Sequence, residues 1–165
     1  MALLSLFGCK QYPPLETVQQ VDLKKYAGKW YEIAAFPQRF QKGCECTTAT
    51  YELTDKGYVK VINRCKKPGG WDKADGKAFV QKGTRNTKLK VQFFWPFRGK
   101  YWVIGLADDY SWAVVGHPNR EYLWILARKP QMPEETYQDI LKMVTNKGFD
   151  TDKLVETTHN CKEDY

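Results

Sequence analysis

The chain has 165 residues, enough for one domain, and we do not expect a second one. Its formal charge of +7 comes from Lys and Arg spread along the sequence, which we interpret mainly as a solvated basic surface and secondarily as attraction to anionic membrane lipid; we do not expect nucleic-acid binding. No apolar run approaches the roughly 20 residues that a membrane-spanning helix needs.

The N-terminal segment 1–20 is predicted to be a leader and linker rather than part of a folded domain. Residues 2–9 read Ala-Leu-Leu-Ser-Leu-Phe-Gly-Cys and resemble the end of a bacterial lipoprotein signal, in which a small residue precedes the cysteine that becomes acylated. We therefore expect Cys9 to carry lipid and to tether the protein to a membrane. Because Lys10 rather than an acidic residue follows it, the resemblance to bacterial sorting patterns implies the outer membrane, on its periplasmic side, as the expected location. The alternative is a soluble secreted or lumenal protein with an unmodified Cys9.

The linker leads into one helical turn. Residues 10–20 contain two adjacent prolines among polar neighbours, a composition typical of an extended linker. The folded domain is predicted to span residues 21–161, with 162–165 as a tail. At its start, Asp22 is the expected cap of a short helical turn that runs to Tyr26.

Between residues 30 and 128, short β-rich runs alternate with turn signals at the spacing of an antiparallel barrel or sandwich. One such turn is 54–57, with Gly57 at a position that favours positive φ. The predicted strands are 29–36, 47–53, 58–62, 77–81, 89–93, 101–106, 112–116 and 122–128. Eight strands give a closed barrel just wide enough to hold one small ligand.

Helical periodicity appears only after the last predicted strand. The segment begins at Pro133 and ends at Gly148. Its apolar positions recur at helical spacing and are Tyr137, Ile140, Leu141 and Val144. We expect this helix to pack on the outside of the barrel, so the predicted fold is all-β: an eight-stranded antiparallel up-and-down β-barrel with one C-terminal α-helix packed outside.

Two motifs, one in the first and one in the last predicted strand, carry a family resemblance. Gly28-Lys29-Trp30, directly after the helical turn, resembles the first signature of the lipocalins, and residues 122–128 resemble the end of their last barrel strand. In that family the arginine lies over the tryptophan and closes the floor of the barrel, which implies these roles for Arg128 and Trp30. A guanidinium over an indole face contributes about 0.5–2 kcal/mol.

The resemblance extends from about Val21 to Cys161 and is strongest to the bacterial lipocalins, apolipoprotein D and the plant temperature-induced lipocalins. Residues 93–104 are similar to the central hairpin of those proteins. Their middle signature, normally Thr-Asp-Tyr, is degraded here over residues 107–112. The resemblance implies a lipocalin calyx that binds one small hydrophobic or amphiphilic molecule and carries it without transforming it.

The cysteines predict disulfides rather than a metal site. Cys44, Cys46, Cys65 and Cys161 form an even set inside the domain, and the first two lie too close together for a zinc knuckle. Strand alternation puts Cys44 and Cys46 on one face, so the sequence itself leaves both pairings open. The pattern resembles that of chloroplast lumenal lipocalins. Similarity to apolipoprotein D implies that Cys46 pairs with Cys161, which leaves Cys44 for Cys65.

The expected ligand-binding residues follow from strand parity and from the resemblance. Trp124 shares the parity of Arg128 and should point into the calyx together with Tyr122. Similarity to apolipoprotein D implies a pocket that uses Tyr51, Asn63 and Trp124. A phenol, an amide and an indole N–H among aromatic walls suit an amphiphile. We therefore predict transport of a fatty acid or lysophospholipid, serving membrane lipid maintenance, by a monomer or weak homodimer.

Little in the sequence favours catalysis or a cofactor. His117 precedes a proline in a predicted loop and His159 lies in the tail, and neither has an evident Ser or Cys partner. Glu32 shares the parity of Trp30 and is interpreted as a structural carboxylate. We expect a carrier with no cofactor; the alternatives are a lipocalin-fold enzyme of the isomerase or epoxide-handling type and a pigment or haem carrier.

Overall fold

Eight antiparallel strands form a closed barrel in the computed structural model, which describes residues 12–94, 96 and 98–162. The strands are β1 (Gly28–Ala35), β2 (Glu45–Leu53), β3 (Val59–Lys67), β4 (Gly70–Val80), β5 (Lys88–Gln92), β6 (Gly99–Leu106), β7 (Trp112–Gly116) and β8 (Leu123–Ala127). Each pairs with the next, and the barrel closes because β1 pairs with both β8 and β2. This confirms the predicted fold class. Cys9 lies outside the described residues.

Three further elements surround the barrel. Helix α1 (Leu23–Tyr26) covers one end, and the Asp22 side chain caps it by accepting hydrogen bonds from the backbone N–H groups of Lys24 and Lys25, as expected. Helix α2 (Glu134–Asn146) packs on the outside, and strand β9 (Val155–Glu156) adds to β1. We call the end covered by α1 the closed end and the opposite end the mouth. Two-residue β9 was not predicted, because it is too short to show an alternating pattern.

The hairpin of β3 and β4 is longer than the sequence predicts. The expected strands 58–62 and 77–81 continue towards each other until Lys67 pairs with Gly70. Residues 72–75 are exposed, so they show no alternation of apolar and polar side chains. Backbone pairing with β3 holds them extended instead. The longer hairpin raises one side of the barrel at the mouth.

Apolar side chains form two layers, one inside the barrel and one between the barrel and α2. The inner layer includes Trp30, which is fully buried. In the outer layer Ile140 and Val144 of α2 pack against Ile104, Val114, Leu123 and Ile125 of β6–β8. This confirms that the helix lies outside the barrel. The two layers also explain why every residue of β8 is buried or half-buried: its side chains face α2 and the barrel interior in turn.

The C-terminal tail completes the seam between β1 and β2 near the mouth. Pairing of these strands ends at Tyr31 and Thr48. Beyond that point β9 pairs with the end of β1, and the Thr157 N–H donates to the carbonyl oxygen of Ile33 at 2.9 Å. On the other side, the Cys46 N–H donates to the Thr158 carbonyl oxygen at 2.7 Å. The tail therefore supplies hydrogen bonds that β1 and β2 no longer make to each other.

Two disulfides are present, Cys44–Cys65 and Cys46–Cys161, which confirms the pairing that the family resemblance implied. The first joins the start of β2 to the end of β3, and the second ties the tail to β2. The alternation expected for Cys44 and Cys46 is interrupted, because β2 has a register shift between Glu45 and Thr48 and Cys46 has φ 52°. This bulge lets two cysteines only one residue apart reach different partners.

We expect removal of the two disulfides to have unequal effects. Their sequence separations are 115 residues for Cys46–Cys161 and 21 residues for Cys44–Cys65. In the chain-entropy account the longer loop stabilises more, by about 1.5 kcal/mol. Guanidinium unfolding of Cys46→Ala/Cys161→Ala and of Cys44→Ala/Cys65→Ala checks this. Equal losses, or a larger loss for the short loop, would contradict it.

Candidate functional site

The closed end is held by Arg128, which follows β8. Its guanidinium carbon lies 3.8 Å from the ring centroid of Trp30. The same group donates hydrogen bonds to the backbone carbonyl oxygens of Lys25 at 2.7 Å, Ala27 at 3.0 Å and Lys29 at 2.8 Å. A cation that loses water on burial needs such acceptors. One side chain therefore ties the last strand to the segment that leads from α1 into β1.

Gly28 and Tyr110 complete the arrangement around Arg128. Gly28 has φ +98°, and a Cβ there would lie 3.4 Å from a guanidinium nitrogen of Arg128. A side chain would be strained by the backbone and would crowd the arginine. Tyr110, in the degraded middle signature, places its hydroxyl 2.9 Å from the Asp22 N–H, from which it accepts. That segment therefore still helps to attach α1.

Replacing Arg128 with Ala should lower the free energy of unfolding by about 3 kcal/mol, because the cation–ring contact is lost and several backbone acceptors lose their donor together. Thermal and denaturant unfolding are the measurements. Lys24→Ala is the matched control, since Lys24 is an exposed cation on α1. A loss no greater than that of the control would show that the contact contributes little.

Three phenols form a hydrogen-bonded cluster inside the barrel, the tyrosine cluster (Tyr26, Tyr51 and Tyr101). The hydroxyl oxygen of Tyr101 lies 2.8 Å from that of Tyr26 and 2.9 Å from that of Tyr51. Burial raises the pKa of all three phenols, that of Tyr51 to about 12. They therefore stay protonated at physiological pH. Two hydrogen bonds use two of the three hydroxyl protons, which leaves one for an acceptor outside the cluster.

The closed half of the barrel is filled by side chains. Between α1 and the tyrosine cluster remains a cavity of about 20 Å³, lined in part by Val21, Leu89 and Val103. A space of that size holds about one water molecule. Nearer the middle of the barrel, the Phe93 ring lies on Gly76, where a Cβ would come within 2.8 Å of it. Space for a ligand must therefore lie on the mouth side of these groups.

On the mouth side of the tyrosine cluster, the barrel interior becomes open towards β4, as one row of paired residues shows. Trp30 pairs with Ala49, Ala49 with Asn63, and Asn63 with Ala74. Directly paired residues face the same side of a sheet, so all four point into the barrel. Trp30 is fully buried, Ala49 and Asn63 are half-buried, and Ala74 is exposed. Solvent therefore reaches the inward face of the sheet in the half of the barrel at the mouth.

Trp124 and Tyr122 lie on another wall of this open half. Trp124 pairs with Val115 on one side and with Ala35 on the other, and it is half-buried. The Tyr122 ring stacks on it with a centroid distance of 6.2 Å and is 37% exposed. The expected ligand residues thus occupy different walls: Tyr51 on β2 in the tyrosine cluster, Asn63 on β3, and Trp124 with Tyr122 at β8 and the rim.

Glu32 is the buried acid among the inward-facing residues of β1. Its carboxylate accepts a hydrogen bond from the Gln41 amide at 2.8 Å and one from the Thr157 hydroxyl at 2.8 Å. Burial raises the pKa of Glu32, and the two hydrogen bonds and the nearby His159 oppose that rise. The carboxylate therefore links β1 to the β1–β2 connection and to the tail. His117 instead contacts Asn119, at 2.6 Å.

The raised pKa of Glu32 predicts a dependence of stability on pH. As pH rises above the ordinary value of 4.5, the carboxyl ionises in the unfolded chain before it does so in the folded one. Its contribution to stability therefore falls with rising pH until the folded-state pKa is passed. Glu32→Gln keeps an acceptor and cannot ionise, so its stability relative to the native protein should increase from acid to neutral pH. Denaturant unfolding across that range is the measurement, with exposed Glu45→Gln as control; parallel curves for all three proteins would contradict the prediction.

The described residues contain neither a candidate metal centre nor a membrane-spanning helix. In that part of the chain, no group of three or more His, Cys, Asp and Glu side chains could hold a metal ion. Nor does any described helix combine the length and apolar character needed to cross a bilayer.

Sequence reasoning missed Tyr26 and Tyr101 as members of the interior cluster. The inward parity of Tyr101 with Val103 was visible in the sequence, but its contact with Tyr26 depends on where α1 crosses the closed end. The role of Thr157 was missed as well, because no pattern in the tail indicates that it returns to β1.

Known proteins resemble this chain over nearly the whole domain. A family model described as "Lipocalin-like domain" matches residues 21–159. The outer membrane lipoprotein Blc of Escherichia coli (strain K12) is 44% identical over 147 residues, covering 87% of this chain and 83% of that protein. Apolipoprotein D of Bos taurus is 33% identical over 183 aligned positions, covering 98% and 94%.

A solved structure agrees at the level of the fold. Insecticyanin from the tobacco hornworm Manduca sexta superposes with a TM-score of 0.74, covering 91% of this chain and 87% of that one, at 21% identity. At that identity the likeness concerns the barrel and its helix.

Proposed function

Because the chain belongs to the lipocalin family, which binds small hydrophobic ligands, we propose that it carries a fatty acid or a lysophospholipid in the open half of its barrel. The observation that carries this proposal is the row Trp30–Ala49–Asn63–Ala74, in which inward-facing residues pass from fully buried to solvent-accessible. Ala74 lies in the part of the β3–β4 hairpin that rises beside the mouth, where no β5 residue pairs with it, so solvent reaches its inward face. Small side chains at Ala49 and Ala74 leave room where larger ones would fill the interior.

The polar groups of the calyx fit a ligand with one polar end and one apolar chain. Asn63 offers an amide, Trp124 an indole N–H, and the tyrosine cluster one hydroxyl proton that its own two hydrogen bonds do not use. These few donors stand among aliphatic and aromatic walls. Such a composition suits an amphiphile better than a sugar or a nucleotide, which would need many more polar partners.

The environment of Glu32 and His117 supports a carrier rather than a catalyst. Glu32 uses both carboxylate oxygens in hydrogen bonds to Gln41 and Thr157. His117 contacts Asn119 at the rim and packs edge-on against the Tyr122 ring, and no Ser, Thr or Cys side chain is among its described contacts. Neither group is therefore arranged for acid–base or nucleophilic work.

We further propose that the protein is exported and held at a membrane through an acylated Cys9, with the calyx serving membrane lipid maintenance. The similarity to an outer membrane lipoprotein and the two disulfides, which suit an oxidising compartment, support this location. Several acyl chains on one cysteine hold a protein stably where a single chain would not. Comparing native protein with Cys9→Ser by fractionation and intact mass tests it; two soluble proteins without lipid mass would contradict the anchor.

Titration of the protein with a long-chain fatty acid and, separately, with a lysophospholipid tests the carrier function. We expect quenching of Trp124 fluorescence, identified by its absence in Trp124→Phe, and co-elution of the ligand on gel filtration. Ala74→Trp should weaken binding about tenfold or more, because it fills the open half from an exposed position. Lys73→Trp is the matched control, since the neighbouring side chain points outwards.

The two titrations also separate the ligand classes. Binding of the fatty acid alone would show that the site requires a carboxylate head group. Binding of both ligands would show that it accepts a larger head group, as expected if the polar end stays near the mouth. If neither ligand changes the emission or elutes with the protein, the proposed function is wrong. Equal binding by Ala74→Trp and Lys73→Trp would place the ligand elsewhere.

A further inference from the structure

Lys and Arg occur along the whole chain, but the excess of positive over negative charge lies in one segment. Residues 56–100 contain 13 of the 26 Lys and Arg residues but only 2 of the 19 Asp and Glu residues. This segment has a net charge of +11, whereas the rest of the chain has a net charge of −4. A charge spread evenly over the protein would need no explanation beyond solubility, but this distribution is strongly one-sided.

The barrel brings that segment to one surface. Residues 56–100 form β3, β4, β5 and the start of β6, which are neighbours in the sheet. Strand alternation sends Val61, Ala78 and Leu89 inwards and the cations outwards. We call the outward face of β3–β6 the cationic wall; its cations include Arg64, Lys66, Lys77, Lys88, Lys90 and Lys100. Helix α2 covers the neighbouring flank of the barrel, over β6–β8, and carries Glu134, Glu135 and Asp139.

Like charges lie directly opposite one another on this wall. Lys60 pairs with Lys77, Arg64 with Lys73, and Lys90 with Lys100 across adjacent strands. Lys60 also contacts Glu52, and Lys73 contacts Asp75, in exposed ion pairs. Directly opposed like charges destabilise an antiparallel sheet. Three such pairs on one face cost stability in the free protein, and an external anionic surface would offset that cost.

Aromatic rings lie beneath the cations of the wall. Four rings each have a cation between 4.0 and 5.7 Å from the ring centroid. The pairs are Arg64 and Lys66 on Trp71, Lys77 on Tyr58, Arg98 on Phe79, and Lys88 on Trp102. Side chains that combine an apolar ring or stem with a charged or polar end are typical of a lipid–water interface. Cations lie over ring faces on which single-stranded nucleic acid would stack its bases, so this arrangement favours a lipid surface over nucleic acid.

The wall is continuous with the mouth of the barrel. Lys66 is near the end of β3, and the connection from β5 to β6 contains Phe94, whose side chain is 78% exposed. We propose that the cationic wall is a docking surface for an anionic phospholipid bilayer, which holds the barrel with its mouth at the lipid surface. This docking depends neither on acylation of Cys9 nor on the identity of the carried ligand.

Co-sedimentation of the full chain carrying Cys9→Ser with lipid vesicles tests the proposal without an acyl anchor. The probes are vesicles of phosphatidylcholine alone and of phosphatidylcholine mixed equally with phosphatidylglycerol. We expect binding to the mixed vesicles only, and release by high salt, because the attraction between exposed charges is screened. Binding to the neutral vesicles as well would contradict electrostatic docking.

The double variant Lys77→Glu/Lys100→Glu isolates the wall. Each change turns a like-charge pair, with Lys60 or with Lys90, into an opposite-charge pair. The melting temperature should therefore stay equal to or rise above that of the parent, while binding to the mixed vesicles weakens about tenfold or more. The melting temperature therefore shows whether a loss of binding comes from unfolding of the variant.

The matched control is Lys129→Glu/Lys142→Glu, which makes the same change in net charge at two exposed lysines outside the wall. We expect it to keep most of the binding. Equal losses in the two double variants would show that only net charge matters and would overturn the proposal. Unchanged vesicle binding by Lys77→Glu/Lys100→Glu would also overturn it. If that variant at the same time loses binding to a short single-stranded DNA that the parent binds, the wall is a nucleic-acid surface.

Discussion

The contact between Arg128 and Trp30 joins the end of the last barrel strand to the first, and the rest of the architecture depends on it. The guanidinium exchanges water for an indole face and for backbone carbonyl oxygens between Lys25 and Lys29. Because these acceptors belong to the segment that leads from α1 into β1, one group both closes the sheet and fixes the cover of the closed end. Gly28 is required there, since its φ of +98° lets the chain turn beside the arginine.

With one end closed, the size of the inward-facing residues divides the barrel into two halves. In the half at the closed end, Trp30, the tyrosine cluster and aliphatic side chains fill the interior almost completely. Towards β4, Ala49, Asn63 and Ala74 leave the interior open to solvent. The filled half supplies the packing that stabilises the fold, so the open half is free to leave apolar surface unburied.

Much of this could be predicted from sequence, because strand alternation, helical periodicity and the Gly28-x-Trp30 motif are local patterns. The β3–β4 extension could not, because residues 72–75 remain extended through pairing with β3 rather than through their own pattern. The tyrosine cluster and the hydrogen bond from Thr157 to Glu32 join residues far apart in the chain. The cations appear scattered along 45 residues, and only the adjacency of four strands gathers them on one face, where the sequence suggested a solvated surface.

The seam between β1 and β2 has a consequence for the order in which the chain can fold. Strand β1 near residue 30 needs β8 near residue 125 on one side and, close to the mouth, the tail near residue 157 on the other. No N-terminal fragment emerging from the ribosome therefore contains a finished barrel. Hairpins β3–β4 and β6–β7 can form early, but ring closure waits for β8, and the seam at the mouth waits for the tail. A chain built in this way remains unclosed, and so able to pass through a narrow channel, until β8 has been synthesised.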